Sequence, residues 1–188
     1  QWKLFERTAE TIHHVDLAFV PPFPGSIAKF LAPDSAFHRR HGVITAFVAK
    51  RAGRAVGRVA AIINRSHNEY HKDRIGFFGF FECENNPATA AALLGKVTET
   101  LVAAGMDGVR GPYNPSINDD CGILLNRFDQ PPMMGLPWNP SYYPKLLEDL
   151  GFQKARTLYT LNLPLHRLEP PERFARIVEH MKKRSKLK

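Results

Sequence analysis

Polar side chains follow two predicted strands of this chain, at the point where each strand ends. They are Glu82 after the first strand, and Asn114, Ser116, Asn118 and Asp119 after the second. Ligands of α/β sheets gather at strand ends. A carboxylate there can exchange a proton with a ligand, and short amide and hydroxyl groups can bind its polar atoms. The pattern therefore predicts a ligand site built from these five residues.

The elements that must position these residues form a strand, a helix and a second strand over residues 75–111. Residues 75–81 are an aromatic run with two apolar faces, which is typical of a central strand covered on both sides. Strict alternation places Ile75, Phe77 and Phe81 on one face and Phe78 and Phe80 on the other. We expect the two strands to diverge past Phe81 and Gly111, which would leave an open cleft between them.

The helix between the strands has clear end signals. Asn85 and Asn86 offer an N-cap, Pro87 suits the first helical turn, and Gly105 is typical of a C-terminal stop. A strand–helix–strand unit of this length favours a right-handed crossover between parallel strands. The sequence therefore predicts that this part of the sheet is parallel.

Residues 43–50 and 55–64 flank a short turn that contains glycine, which predicts an antiparallel hairpin before the aromatic strand. Arg58 lies within the second arm and must either reach solvent or pair with an acid. We also expect an edge strand at residues 1–7, a helix at 141–150 and a last strand at 152–163. The predicted fold class is α/β (α+β), with a mixed, largely antiparallel sheet flanked by helices.

The net charge is +8, and five of these charges lie in the last seven residues, at Lys182, Lys183, Arg184, Lys186 and Lys188. Such a run is typical of a solvated tail, and it also suits peripheral contact with an anionic membrane. Pro170 or Pro171 begins a predicted amphipathic helix that leads into the run. No RNA- or DNA-binding motif accompanies it, so we expect no nucleic-acid partner.

Cys83 and Cys121 are the only cysteines, and no secretory signal opens the sequence, which indicates a reducing, cytoplasmic location. A buried, unreactive thiol is the expected role of Cys83, with a nucleophile as the open alternative. His67 and His71 lack nearby cysteine or carboxylate clusters, so we expect no metal site.

Several short strings in the chain are distinctive in combination. They are residues 19–23 (FVPPF), 56–61 (VGRVAA), 76–82 (GFFGFFE), 110–119 (RGPYNPSIND) and the segment 142–152. In this order the chain resembles the GNAT acyl-CoA N-acyltransferase fold over roughly residues 15–165. Within that fold it is closer to a bacterial branch of proteins similar to bacterial ceramide synthase.

The resemblance implies an N-acyltransferase that moves an acyl group from a CoA-type thioester to an amine, with a small-molecule or lipid amine as acceptor. It implies Glu82 as the base for that amine; a salt bridge to Arg58 or Arg110 is the alternative. The tyrosine of many GNAT enzymes corresponds to Leu147 here. Tyr143 is interpreted as a core residue, which leaves Tyr142 as the candidate acid for the thiolate.

The resemblance also implies two binding sets. The CoA pyrophosphate would lie at the start of the helix, near Asn85, Asn86, Ala88 and Thr89. The acceptor would contact His71, Arg110, Asn114, Ser116, Asn118 and Asp119, although loop residues of these types also bond one another. The usual glycine-containing phosphate loop is replaced by ENNP at 84–87.

Two hypotheses follow: the GNAT-like order with Glu82 and the polar loop favours an enzyme, whereas the replaced phosphate loop and the missing tyrosine favour a module without catalysis. The first is the acyltransferase, as a domain over residues 1–165 followed by a basic helix or tail at 166–188. The alternative is a non-catalytic, GNAT-like binding or structural module.

Overall fold

A four-stranded mixed sheet spans the chain from residue 42 to residue 110. The computed structural model describes residues 2–161, 164 and 172–185. The strands are β1 (Gly42–Arg51), β2 (Arg54–Asn64), β3 (Ile75–Cys83) and β4 (Gly108–Arg110), and they lie in that order. β1, β2 and β3 pair antiparallel, whereas β4 pairs parallel to β3. The predicted fold class, hairpin and parallel crossover are thus confirmed.

Helices pack on both faces of this sheet. They are α1 (Trp2–His13), α2 (Ser26–Leu31), α3 (Ala36–Arg40), α4 (Arg65–His71), α5 (Pro87–Ala103) and α6 (Tyr143–Asp149). One core lies between the sheet and α5 and α6, around Phe78, Phe81, Leu93, Val97 and Tyr143. The other lies between the sheet and α1, α2 and α3, around Phe5, Leu31, Phe77 and Phe80.

A β-bulge in β3 changes which side chains face which core. Two residues of β3, Phe80 and Phe81, lie opposite Val59 of β2 where the register shifts, and Phe80 has a φ of 52°. The inserted residue reverses the alternation. Phe77 and Phe80 therefore face α1, and Phe78 and Phe81 face α5. The strictly alternating faces predicted from the sequence are wrong past Gly79, and Glu82 turns toward α1 as a result.

The predicted edge strand at residues 1–7 is wrong over residues 2–7, which begin α1, and residue 1 lies outside the described residues. The buried side chains of α1 recur at helical spacing, and they are Phe5, Thr8, Ala9 and His13. The alternating Trp2 and Leu4 that favoured a strand are the more exposed apolar residues of this helix.

The predicted last strand at 152–163 is not present over residues 152–161, which form no regular structure. Residues 162 and 163 lie outside the described residues. The side chains of Leu158, Tyr159 and Leu161 are exposed. Without a neighbour that covers its apolar side chains, the alternating sequence does not specify a strand.

The chain divides into two compact units, Gln1–Gln153 and Lys154–Lys188. The second contains α7 (Glu172–Ser185), whose apolar stripe consists of Phe174, Ile177, Val178 and Met181. The predicted start of this helix at Pro170 or Pro171 lies outside the described residues. None of the helices that the structure describes is long and apolar enough to cross a membrane. The domain boundary at residue 165 stays a prediction.

Candidate functional site

The Glu82 carboxylate and the Arg58 guanidinium form a buried ion pair. Arg58 of β2 lies directly opposite Glu82 of β3, and its Nη2 is 3.3 Å from Oε1 of Glu82. Their side chains are only 4% and 16% exposed. Nη1 of Arg58 also donates to the carbonyls of Phe5 and Glu6 in α1. Arg58 therefore pairs with an acid, which was one of the two alternatives that the sequence left open for it, and it joins the sheet to α1.

His13 and Tyr143 occupy the other oxygen of Glu82. Nε2 of His13 lies 3.0 Å from Oε2 of Glu82, and the Tyr143 hydroxyl donates to the same oxygen over 2.9 Å. Four elements therefore converge on one carboxylate: α1, β2, β3 and α6. We call Glu82, Arg58, His13 and Tyr143 the Glu82 cluster.

The Glu82 cluster keeps its carboxylate ionised. Burial would by itself raise the pKa of Glu82, but the hydrogen bond from His13 and the charge of Arg58 outweigh that effect, so the pKa lies below its usual value. Burial lowers the pKa of Arg58, and the Glu82 charge counteracts that shift. A carboxylate with a lowered pKa is a poor base by itself. It is well suited to orienting the His13 ring through the hydrogen bond to Nε2.

Side chains, not a further strand, bind the outer edge of β3 beyond Phe78. Asn114 accepts from the Phe80 N–H, Tyr143 accepts from the Cys83 N–H, and Tyr142 donates to the Cys83 carbonyl. The parallel pairing with β4 ends at Phe77 and Arg110. The strands do part, but the predicted open cleft between them is wrong among the described residues, because these side chains fill it.

The two tyrosines have different surroundings. Tyr143 is buried, and burial together with the Glu82 charge raises the pKa of its phenol well above the usual value. Tyr142 is half-buried, and burial likewise raises the pKa of its phenol. Both phenols therefore stay protonated at neutral pH. Tyr143, interpreted from the sequence as core, is both a core residue and a direct partner of Glu82.

Two aromatic rings cover His13. The centroids of Phe19 and Trp138 lie 5.4 Å from that of His13 and 5.6 Å from each other. Phe19 belongs to the irregular segment 14–24 and Trp138 to the proline-rich segment 128–138. The Trp138 indole donates to the Phe128 carbonyl, which closes the second segment on itself. The long segment 128–138 thus meets the Glu82 cluster through Trp138.

The N-terminus of α5, predicted to bind a pyrophosphate, is capped by its own chain. Oδ1 of Asn86 accepts from the N–H groups of Ala88 and Thr89. Glu84 accepts from the Thr89 hydroxyl, and Asn85 is exposed beside them. Three of the four predicted cofactor residues therefore take part in one helix cap. An acidic side chain lies where a phosphate would gain most from the helix dipole.

Arg51 at the end of β1 balances that acid. Its Nη1 is 2.7 Å from Oε1 of Glu84, and its Nη2 donates to the Thr89 hydroxyl. About half of the Arg51 side chain is exposed. The start of α5 thus carries one accessible cation that the sequence did not single out.

The polar loop 114–120 makes its hydrogen bonds mostly within itself. Ser116 donates to Oδ2 of Asp119 and accepts from the Asn118 N–H. Asn114 is the exception, because its side chain binds the N–H that the bulge at Phe80 removes from the sheet. A Cβ on Gly79 would collide with Asn114 and with the Tyr113 carbonyl, so this close approach requires glycine there.

The other two predicted acceptor contacts lie near the start of β3. Arg110 is exposed and pairs in register with Phe77. His71 is exposed at the end of α4, where its ring lies 4.2 Å from that of His67. The structure therefore does not bring Arg110 or His71 to Glu82.

Three further observations concern chemistry outside the Glu82 cluster. Among the described residues, no three His, Cys, Asp or Glu side chains are grouped as metal ligands would be. A groove of about 480 Å³ is lined by Thr98, Val109, Leu150, Gly151, Phe152 and Gln153, and by none of the predicted site residues. Burial raises the pKa of the Cys83 thiol to about 12, so this residue is not an activated nucleophile.

Sequence reasoning missed His13 altogether. The helical spacing of Phe5, Ala9 and His13 was the available signal, and it was masked by the alternation of Trp2 and Leu4. Glu82 was found because it follows a strand. Arg58 was named as one of two possible salt-bridge partners of Glu82, whereas nothing in the sequence joined Tyr143 to that carboxylate.

Comparison with known proteins places this chain beside two curated bacterial proteins. It is 35% identical over 114 residues to Protein YghO of Escherichia coli (strain K12), which is 61% of this chain and 29% of that protein. It is 35% identical over 120 residues to the bacterial ceramide synthase of Caulobacter vibrioides, which is 63% of this chain and 31% of that protein. No protein-family model matches the chain.

Two solved structures also align with the chain. A structure titled "a probable acetyltransferase" has a TM-score of 0.46 at 14% identity and covers 86% of this chain and 90% of that one. A Trypanosoma brucei acetyltransferase has a TM-score of 0.45 at 18% identity and covers 87% and 95%. The chain spans about three tenths of the length of the curated relatives it matches. Over that length, the resemblance to bacterial ceramide synthase is confirmed.

Proposed function

We propose that this chain is a GNAT-like N-acyltransferase that moves an acyl group from a CoA-type thioester to an amine. The observation that carries the proposal is the Glu82 cluster, in which four elements bring His13, Arg58 and Tyr143 to one buried carboxylate. The 35% identity with a bacterial ceramide synthase supports the same reaction class and favours a lipid or other apolar amine as acceptor.

His13 is the proposed proton acceptor of this reaction. An imidazole that donates from Nε2 to the ionised Glu82 keeps a lone pair on Nδ1 when it is neutral. The attacking amine forms a bond to the thioester carbonyl carbon and gives its proton to Nδ1. Glu82 fixes the ring and stabilises the imidazolium, as a carboxylate does in other histidine-dependent acyl transfers. Glu82, which the resemblance implied as the base, is thus proposed as the residue that orients His13, and His13 is the proposed base.

Tyr142 is the proposed proton donor to the leaving thiolate when the carbon–sulfur bond breaks. Its raised pKa keeps the phenol protonated at neutral pH, so the hydroxyl is available to donate a hydrogen bond to the sulfur as negative charge develops there. The hydroxyl donates to the Cys83 carbonyl in this structure, so it must exchange that partner for the sulfur during turnover. Tyr143 is less suitable, because its proton is already bonded to Glu82.

The acyl-CoA donor is proposed to bind beside the start of α5, with Arg51 as the accessible charge for its phosphates. Asn85, Asn86, Ala88 and Thr89 would line that position. The loop residues Asn114, Ser116, Asn118 and Asp119, with Arg110 and His71, remain proposed contacts of the acceptor and have no part in the chemical steps.

A non-catalytic, GNAT-like binding or structural module is the second candidate. The capped N-terminus of α5 favours it, because Asn86 already binds two of the N–H groups that a pyrophosphate would need. Glu84 at the same end opposes phosphate charge. This candidate predicts that CoA esters leave the melting temperature of the chain unchanged.

The acyltransferase is tested with Glu82→Gln, assayed by mass spectrometry of the amide formed from palmitoyl-CoA and dodecylamine. We expect turnover to fall at least about 100-fold, because an uncharged amide no longer stabilises the imidazolium. Glu99→Gln is the matched control, since Glu99 is an exposed partner of Lys96. Melting curves must show that both variants are folded at the temperature of the assay. Full activity of folded Glu82→Gln would remove the Glu82 cluster from the mechanism.

Thermal shift separates the two candidates without an activity assay. Ligand well above its dissociation constant stabilises the folded state, by about 2.7 kcal/mol at a hundredfold excess. The acyltransferase predicts a saturable rise in melting temperature with palmitoyl-CoA or acetyl-CoA, and a smaller rise for Arg51→Gln. No shift with either ester or with free CoA favours the binding or structural module.

We place the activity in the cytoplasm, in line with the free thiols of Cys83 and Cys121. The relatives are about three times as long as the matched stretch, so the activity of a whole protein of that kind remains part of this proposal.

A further inference from the structure

Three buried polar atoms without a hydrogen-bond partner lie in one short segment, which is α4 and the turn after it. They are Nε2 of His67, Oδ1 of Asn68 and Oδ1 of Asp73. In the part of the chain that the structure describes, one further buried side-chain atom lacks a partner, Nε of Arg58. Leaving a buried polar atom unpaired is costly, so three of them within residues 67–73 require a physical explanation.

His67 and Asp73 face each other at a separation that suits a shared ion. Nε2 of His67 lies 3.8 Å from Oδ2 of Asp73, which is too long for a hydrogen bond. Two atoms that are each about 2.1 Å from a tetrahedral zinc ion lie about 3.4 Å apart. The two side chains are only 14% and 32% exposed. Their separation is therefore close to that of two ligands of one ion in a largely buried position.

His71 offers a third ligand on the same face of α4. It follows His67 by four residues, about one helical turn, and the centroids of the two rings lie 4.2 Å apart. Two histidines at this spacing on a helix bind zinc in known motifs. The three side chains are not yet arranged as a complete ligand set in this structure. The exposed His71 ring must rotate toward the ion to complete it.

The charges around His67 also favour a cation. Burial and the neighbouring His71 lower the pKa of His67, so its ring is neutral at neutral pH and keeps a lone pair for a metal. Asp73 supplies a negative charge beside it. Arg110 opposes a cation, since its charge also lowers the pKa of His67. Because Arg110 is exposed, solvent and salt screen that opposing charge.

We propose that His67, His71 and Asp73 bind one zinc ion, which holds the end of α4 against the start of β3. The role is structural, because the His67 ring lies 4.9 Å from that of Phe77, which stacks on Tyr113 at 4.3 Å. The expectation of no metal site rested on the lack of a carboxylate cluster near the two histidines, and Asp73 supplies a carboxylate there. This inference goes beyond the proposed function and does not depend on it.

The test is calorimetric titration of the full, untagged chain with Zn²⁺ after dialysis against a chelator. We expect one ion per chain, with a dissociation constant in the micromolar range or tighter. His71→Gln removes an exposed ligand without disturbing the core, and it should weaken binding at least about tenfold. Asp73→Asn should weaken binding to a similar extent. The matched control is His14→Gln, which removes an exposed histidine just after α1 and should leave the affinity unchanged.

A second readout reports the ligands themselves. X-ray absorption at the zinc edge should show two imidazole nitrogens, and Zn²⁺ should raise the melting temperature of the unsubstituted chain. Mg²⁺, which prefers oxygen ligands, should leave that temperature unchanged. Arg110→Gln should tighten zinc binding, because it removes the opposing charge. The absence of zinc binding overturns the proposal, as does equal affinity of His14→Gln and either ligand variant.

Discussion

The Glu82 cluster and the polar loop 114–120 present similar side chains at two neighbouring strand ends, yet they are built in opposite ways. In the cluster, residues 13, 58 and 143 reach Glu82 from distant parts of the chain. In the loop, Ser116 bonds Asp119 and Asn118, all within three residues. The first arrangement depends on the whole fold, whereas the second depends only on the local chain.

This difference shows which polar groups constrain the molecule. A loop that satisfies its own donors and acceptors can form with little help from the rest of the protein. A buried carboxylate must be paired by groups that the fold brings to it. A reaction that requires a fixed charge shielded from water is therefore better supported at Glu82 than at the loop.

The contrast between the cluster and the loop can be tested by substitution. The largest change in stability is expected when Arg58 is replaced. Arg58→Met should lower the free energy of unfolding by about 3–5 kcal/mol, because it leaves the buried Glu82 charge without its cation. Urea unfolding at neutral pH measures this. Arg74→Met is the matched control, since the Arg74–Asp107 pair is exposed, and its midpoint should barely move. Similar midpoints for the two variants would contradict a buried, fold-dependent pair at Glu82.

A smaller effect is expected from acid. The pKa of Glu82 is lower in the folded chain than its usual value of 4.5, so folding favours the ionised form. The stability that this contributes is complete above about pH 4.5 and is lost as the pH falls through the folded pKa. The difference in unfolding free energy between the unsubstituted chain and Glu82→Gln should therefore be constant near neutral pH and should shrink in acid. A constant difference throughout the acid range contradicts the pairing.

The smallest effect is expected in the loop. Ser116→Ala should cost only about 0.5–1 kcal/mol, since its hydrogen bonds are part-exposed and local. The turnover number at saturating acceptor should stay within about twofold of that of the unsubstituted chain, because the proposed role of Ser116 is to bind the acceptor and not to take part in the chemical steps. A fall in turnover as large as that of Glu82→Gln, with the fold intact, would show that the loop takes part in the reaction and would remove the contrast.

The sequence predicts the sheet and its central helix because local signals suffice there. The hairpin has its turn glycine, β3 has its aromatic run, and α5 has Asn86 and Pro87 at its start. The first half of α1 was missed because the exposed Trp2 and Leu4 alternate with polar residues as in a strand. The last strand was predicted from alternation alone, and alternation does not supply the neighbouring strand that a sheet requires.

The candidate site was predictable only in part, and the bulge explains why. Strict alternation would turn Glu82 toward α5, where His13 could not meet it. One extra residue at Phe80 reverses this, and the left-handed conformation of a phenylalanine leaves no sequence signature of its own. Gly79, which admits Asn114 to the bulge, was the one visible hint. Residues that meet through such a bulge cannot be paired by counting along the chain.

The bonds of Tyr142 and Tyr143 to the two backbone atoms of Cys83 limit how this protein can rearrange. Both bonds hold the beginning of α6 at the end of β3, and the Tyr143 bond to the Cys83 N–H remains when Tyr142 releases the Cys83 carbonyl, so we expect these two elements to move together. An opening that lets an amine reach His13 must come from the opposite side, by displacement of α1 or of the two segments that carry Phe19 and Trp138. The hinges of the molecule are thus expected near residues 14 and 128. β3 and α6, which carry Glu82 and Tyr143, are expected to keep their positions.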